Sequence, residues 1–418
     1  MEGQQLLHLS SVAPSPLVDT AGEKLGRVED VIVRLADGGF PPVTGLQARI
    51  GGRDLFVPAD RIASFEAGRV QLSGEQLNLG RFQRRPGEVL LREDVLGRKL
   101  VDVESAQLVT AQEIELMCVE GWWRVVAVDT SFRARLRRAL PGPLAKRVRV
   151  GQLLDWTQVE PFVGHVPTAR LRLSHRKLAR LHPAQIADLV EAASHEEGEE
   201  IIKAVGQDRE LEADVFEELD DEHQLEFIRE RSDAQVAAVL SRMAPDDAAD
   251  LIAELDQDRR EPVLALLPAT QQRQIRTLLG YNPSTAGGLM STEFLSLPEG
   301  TAVSEALDRI RESPIAAEAL ATIYAAGGNG ELVGSVPVVA LLRAEASATL
   351  ADVLHREPLA VHTDADLPEV ARLMTDYNLT TLPVVDEHDR MVGIITVDDV
   401  LEEMLPSGWR RRYGLARR

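Results

Sequence analysis

Over residues 1 to about 140, apolar and polar positions alternate in short runs. VEDVIVRL begins at Val28, VTGLQARI at Val43, LFVPAD at Leu55 and RVQLS at Arg69, with Gly, Pro and Asp between them. Runs of this kind, broken by turn signals roughly every 8–12 residues, predict strands closing into a small barrel or sandwich. From about Leu181 to Leu279 the spacing becomes helical: Ile186, Leu189 and Val190; Ile201, Ile202 and Val205; Val236, Val239 and Leu240; Ile252 and Leu255. His182-Pro183, Ser232-Asp233 and Pro245-Asp246 mark helix starts. AQIADLV at Ala184 recurs as AQVAAVL at Ala234 and DDAADLI at Asp246, which predicts short stacked helices with their polar faces outward. From Leu289 to Met404 strands and helices alternate. The clearest unit reads strand 359–362, helix 367–377, strand 381–385, strand 391–396 and helix 397–404.

Charge sharpens this division. Of the formal net charge of −21, −18 falls between Asp188 and Glu261, where 25 acidic residues face seven basic ones. Two segments run the other way: Arg133–Arg149 carries seven basic residues and no acidic one, and Trp409–Arg418 carries five arginines. The overall sign and the 4% aromatic content argue against a phosphate-binding surface or a base-stacking platform, so no specific nucleic acid is expected. A single cysteine, Cys118, excludes an intramolecular disulfide and is read as a buried structural thiol. The chain contains neither a signal-peptide pattern nor a run of about 18 apolar residues, so a cytoplasmic location is expected, peripheral at the inner membrane face.

The two halves of the strand-rich part share a Leu-Gly-Arg core: Leu25-Gly26-Arg27-Val28-Glu29-Asp30, then Leu96-Gly97-Arg98-Lys99-Leu100-Val101-Asp102. This pattern resembles the PRC-barrel family, in two copies, with the glycines read as turn residues. The unit ending in Gly393-Ile394-Ile395-Thr396-Val397-Asp398-Asp399 resembles a CBS domain, the second of a tandem pair. Upstream, LHPAQIADLVE, APDDAADLIAEL and LLGYNPSTAGGLMSTEFLSL resemble the cytosolic half of the MgtE magnesium transporter family, the last through Tyr281, Ser284, Thr285, Ala286, Gly287, Leu289, Met290 and Ser291. The fold class expected is therefore multidomain: N-terminal small β-barrels, an all-α helical superhelix, then α/β tandem CBS domains. The expected boundaries are PRC-like 1–85 and 86–145, a linker 146–177, the helical N domain 178–282, a degenerate CBS-like copy 283–348, a second CBS copy 349–405 and a basic tail 406–418. In the transporter family a membrane domain follows the CBS pair. Here the sequence ends 13 residues past Leu405, so a sensor without its channel is expected.

Two ligand chemistries follow. Asp246 and Asp250 lie at i and i+4 on one helical face, and so do Asp398 with Glu402 and Asp399 with Glu403. With Asp247, these carboxylates form the candidate metal group. They would repel one another unless a divalent cation screened them, and magnesium, with its oxygen ligands and retained waters, suits scattered carboxylates. The MgtE resemblance implies that magnesium binds weakly where the N and CBS domains close. A solvated acidic face or helix-start capping explains the same residues without a metal. The CBS resemblance implies an adenosine-nucleotide cleft lined by Thr363, Thr381, Pro383, Thr396 and Asp399. Thr396 is equally read as the cap of the last helix, and the first copy has Pro337 and Ala340 where the pattern wants Thr and Asp.

There is no Walker A loop, nucleophile elbow, His-Glu-x-x-His or dinucleotide fingerprint, so no enzyme is expected. The basic run Arg133–Arg149 could meet anionic lipid, although docking on the chain's own acidic helices is the favoured reading. The function expected is a soluble, non-enzymatic regulator of magnesium homeostasis that closes its helical domain on the CBS pair and acts on a separate membrane metal transporter. A nucleotide-sensing adaptor and a scaffold with vestigial sites are the alternatives. CBS resemblance implies a homodimer through the pair.

Overall fold

In the computed structural model, residues 6–35, 39–74, 81–119, 121–140, 151, 153–162, 175–356 and 358–405 are described. The chain divides into two compact units, Met1–Glu218 and Leu219–Arg418. The basic residues Lys146, Arg147 and Arg149 and the tail 406–418 lie outside the described residues.

The first unit opens with three sheets. Strands β2 (Pro16–Val18), β3 (Lys24–Arg34), β4 (Val43–Ile50), β5 (Arg53–Pro58), β6 (Ile62–Glu66) and β7 (Arg69–Leu72) form one sheet in the order β5-β4-β3-β2-β7-β6, and β8 (Glu88–Leu90) adds to β3. The expected strands are therefore present. Their alternating Val28, Val31 and Val33 and Leu46, Ala48 and Val57 supply one buried core. A second sheet runs β1-β11-β12-β13, from Leu6–His8, Glu113–Val119, Trp122–Asp129 and Leu153–Asp155. A third runs β10-β9-β14, from Gln107–Thr110, Lys99–Asp102 and Val159–Pro161.

Four features differ from expectation. The N-terminal strand β1 pairs with β11 of the second half, not with the half it begins. Residues 153–161, expected as linker, contribute β13 and β14, paired to β12 and β9. Gly97 does serve a turn, at φ +81°, but Gly26 lies inside β3, where a Cβ would come within 2.2 Å of the Arg49 carbonyl oxygen. It is required by close strand approach. The repeated aspartates share a purpose. Buried Asp30 accepts backbone N–H bonds from Val31, Arg92 and Glu93, and buried Asp102 accepts from Glu104 and Ser105. Burial raises the Asp30 carboxyl to about 7 despite those bonds. Cys118 is half-buried on β11, less enclosed than expected.

Helix α1 (Phe132–Ala139) follows β12. Helices α2 (Pro183–Ala192), α3 (His195–Val205) and α4 (Arg209–Glu217) complete the first unit. Each starts where its capping residue says it should: His182, Ser194 and Asp208 accept from first-turn N–H groups.

The second unit continues with helices α5 (Asp221–Arg229), α6 (Asp233–Leu240), α7 (Pro245–Glu254), α8 (Gln257–Leu266) and α9 (Ala269–Leu278). Their apolar stripes, such as Ala248, Ala249, Leu251 and Ile252, are buried. The first α/β copy has strands β15 (Ser296–Pro298), β16 (Thr322–Ala326), β17 (Leu332–Pro337) and β18 (His355–Arg356), in that order in one sheet, with helices α10 (Val303–Glu312) and α11 (Val338–Arg343). The second has β19 (Val361–His362), β20 (Thr381–Val385) and β21 (Met391–Thr396), with α12 (Leu367–Tyr377) and α13 (Val397–Met404). Among the described residues no helix is long and apolar enough to cross a membrane.

Candidate functional site

The site is set by the junction that follows α9. Met290 is wholly buried, and Ser291 exchanges two backbone bonds with Ile394 of β21, at 2.8 and 2.9 Å. The junction runs so close to β21 that a Cβ on Gly393 would lie 2.6 Å from Met290 Sδ and 2.7 Å from the Ser291 carbonyl oxygen. Gly393 of the CBS pattern and Met290-Ser291 of the MgtE-like motif are two sides of one contact. This contact carries Ser291 and Glu293 to the start of α7 and to the end of β21, where α13 begins.

Helix α7 begins with Pro245 at its first position and Asp246 and Asp247 in its first turn, the arrangement favoured by the orphan N–H groups and dipole of a helix start. Asp246 and Asp250 share a face. Helix α13 begins at Thr396, whose backbone N–H and hydroxyl both donate to Asp399 Oδ2, at 3.1 and 2.6 Å. These two helix starts bring carboxylates together. Asp246 is raised above the usual carboxylate range chiefly by burial, opposed by a hydrogen bond from Ser291 and reinforced by the charges of Asp250 and Glu293. Asp250 keeps an exposed edge, yet burial of its packed side and the charges of Glu403, Asp221 and Glu254 raise it to about 6. Asp399 is raised to about 6 by burial first, then by Asp246 and Asp398, against its bonds to Thr396. Burial also raises Glu293. The Asp246 Oδ1 atom is buried without a hydrogen-bond partner among the described residues.

Of the candidate metal residues, Asp246 feels the charge of Asp250, Asp399 that of Asp246, and Asp250 that of the exposed Glu403. Asp398 is exposed and acts on Asp399 through its charge. Asp247 is half-buried and Glu402 exposed, each engaged by a neighbour. Sequence alone gives Ser291, Glu293 and Asp221 no ligand role, although Ser291 closes the junction motif. Asp221 reads as an ordinary first-turn acid, and only the packing of α5 near α7 gives it a role. The donor set is all oxygen, with one buried oxygen lacking a partner. That fits a hard divalent cation and gives a thiophilic one nothing to prefer.

Of the candidate nucleotide residues, Thr381, Pro383 and Thr396 lie on β20 and β21, Thr363 just past β19 and Asp399 on α13. Thr381 and Thr396 are directly opposite in register, as are Pro383 and Ile394. Thr381 Oγ1 is 3.0 Å from the Tyr324 hydroxyl, a buried bond between the two α/β copies. Thr363 is half-buried, and its carbonyl accepts from Gly287 of the junction. The hydroxyls of Thr381 and Thr396 are thus already engaged. In the first copy β17 ends at Pro337, and α11 starts without a side-chain cap.

Comparison with known proteins agrees with this architecture. The MgtE intracellular N domain family matches residues 181–284, and the CBS domain family matches residues 350–406. The magnesium transporter MgtE of Thermus thermophilus is 33% identical over 215 residues, covering 45% of this chain and 48% of that protein. The Bacillus subtilis MgtE is 27% identical over 192 residues, covering 46% and 43%. The chain spans about half the length of these curated relatives. A crystal structure of the cytosolic domain of the Mg2+ channel MgtE in complex with ATP superposes with TM-score 0.52 at 31% identity, covering 55% of this chain and 93% of that one. A structure of the soluble part of a magnesium transporter gives TM-score 0.50 at 25% identity, covering 55% and 90%. The chain belongs to the MgtE family, through the cytosolic region that joins the intracellular N domain to the CBS pair.

Proposed function

We propose that the second unit is a magnesium-responsive regulatory module, not an enzyme, in which the cation bridges the start of α7 and α13. The observation that carries this reading is a chain of charge interactions, Asp250 on Asp246, Asp246 on Asp399 and Glu403 on Asp250, beside a buried Asp246 oxygen that lacks a hydrogen-bond partner among the described residues. Carboxylates that raise one another in this way cost free energy when ionised, and a divalent cation offsets that cost. Cation binding therefore favours the state in which α7 and α13 are together, and its loss favours their separation. Because the ion keeps most of its waters, affinity is weak and matched to an abundant cation. The MgtE relatives named above support magnesium as that cation.

Calorimetric titration at pH 7.5 tests the reading. Saturable magnesium binding is expected in the wild type and a severe loss in Asp250→Asn/Asp399→Asn. A wild type that shows no heat up to about 10 mM magnesium contradicts it.

The regulated partner, in this reading, is a membrane metal transporter. The strand-rich front, which resembles PRC barrels, passes on the state, and the CBS pair dimerises. A second ligand, an adenosine nucleotide, is favoured by the facing register of Thr381 and Thr396 and by the ATP complex of the related cytosolic domain. It would have to displace the Thr396–Asp399 bonds. Thr396→Ala should weaken ATP binding, and a wild type that binds no ATP removes this second reading.

A further inference from the structure

The first unit carries a helix whose polarity is reversed. Helix α1 reads FRARLRRA, with four arginines and no acid. An ordinary surface helix turns its apolar residues inward and its charges to water. Here Ala134 and Arg137 point inward, with Arg137 only 7% exposed. Its Nη2 lies 3.4 Å from Asp129 Oδ2 and 3.6 Å from Glu115 Oε1, two wholly buried carboxylates. Ser131 fixes the helix start, donating to Asp129 Oδ1 at 2.6 Å and accepting from Ala134 N–H. Arg138 donates to the Gln112 carbonyl. The helix is thus locked in rotation by its buried arginine.

The outward face is what this lock presents. Phe132 is 73% exposed and Leu136, one turn on, 42% exposed, with Arg133 and Arg135 exposed beside them. Two adjacent apolar side chains flanked by arginines suit a surface that is apolar just beneath an anionic layer. The rings and methyls enter the acyl boundary while the guanidinium groups stay at the phosphates. The charge is of the opposite sign to the chain as a whole, which carries −21. We propose that Phe132, Arg133, Arg135 and Leu136 form a docking face for an anionic phospholipid bilayer. One short helix gives weak, reversible attachment, with each arginine contributing roughly fivefold in binding near such a surface.

Vesicle co-sedimentation of the full chain tests this, with phosphatidylcholine alone against phosphatidylcholine containing about 30 mol % phosphatidylglycerol. Binding is expected only to the anionic vesicles, and it should weaken as salt rises. Phe132→Ser/Leu136→Ser should reduce it at unchanged charge. Arg133→Glu/Arg135→Glu should reduce it by more than tenfold, with the melting temperature unchanged in both. Arg137 is left intact because its loss would disturb the fold. Equal binding to both vesicle types, no binding by the wild type, or full binding by Phe132→Ser/Leu136→Ser overturns the proposal. If the charge-reversed variant instead changes the compactness of the free chain while the wild type ignores vesicles, the face docks on protein and the lipid assignment fails.

Discussion

At the scale of single residues, the site is a balance between burial and charge. Asp246, Asp250 and Asp399 are all held above their ordinary carboxylate range, burial being the first cause in each. The sign follows from linkage. A carboxyl with a raised folded-state pKa adds stability below its unfolded value of 3.8, and loses it as pH rises through about 6. Metal-free protein should therefore melt lower at pH 7.5 than at pH 5. Magnesium should raise the melting temperature more at pH 7.5, where no proton competes. Asp30 in the other unit, raised to about 7, pulls in the same direction, so a variant is the cleaner readout. Asp246→Asn should raise the metal-free melting temperature at pH 7.5 and shrink the magnesium increment; an unchanged increment would show that Asp246 does not face the ion. Gly393→Ala, with a Cβ 2.6 Å from Met290 Sδ, should destabilise the second unit by about 1–3 kcal/mol in denaturant unfolding.

Among the elements, the helix starts carry both fold and chemistry. Thr396 and Asp399 close α13 as a capping pair, and Thr396→Ala should cost about 1 kcal/mol of stability, read by urea unfolding. Arg137→Met in α1 should cost roughly 3 kcal/mol, because buried Asp129 would lose its guanidinium and keep only the Ser131 and Gly151 donors, while Glu115 would be left to His8. Much at this scale was legible in the sequence. The second α/β copy has its helices at Leu367–Tyr377 and Val397–Met404 and its strands at Thr381–Val385 and Met391–Thr396, as periodicity and turn signals predict. Local rules suffice there because each boundary is set by neighbouring residues. Where the outcome depends on distant partners, local rules fall silent. Nothing near Leu6 shows that β1 will pair with β11 more than 100 positions away, since a three-residue strand has too little pattern to choose a partner. The helical period of FRARLRRA does not say that Arg137 turns inward; only the two buried carboxylates decide that. For the candidate site the i, i+4 pairs were readable on each helix, but their meeting was implied only by resemblance. The shared contact that permits it, Gly393 against Met290 and Ser291, links positions about 100 apart.

For the whole molecule, the acidic imbalance has a structural correlate. Most of the −21 lies on the helices that lead into α7, and the proposed cation-responsive group lies within the second unit, on α7 and α13. The first unit holds a separate strand-rich body and the basic helix α1. Regulation by the cation and attachment through α1 are thus assigned to different units and should be separable by mutation. The central claim is that a divalent cation holds α7 and α13 together. Hydrogen exchange followed by mass spectrometry at pH 7.5, with and without magnesium, addresses it directly. Magnesium should slow exchange in the peptides covering Pro245–Glu254 and Val397–Met404 together, and Asp250→Asn/Asp399→Asn should abolish that protection. Exchange in both peptides that is indifferent to magnesium in the wild type would contradict the account.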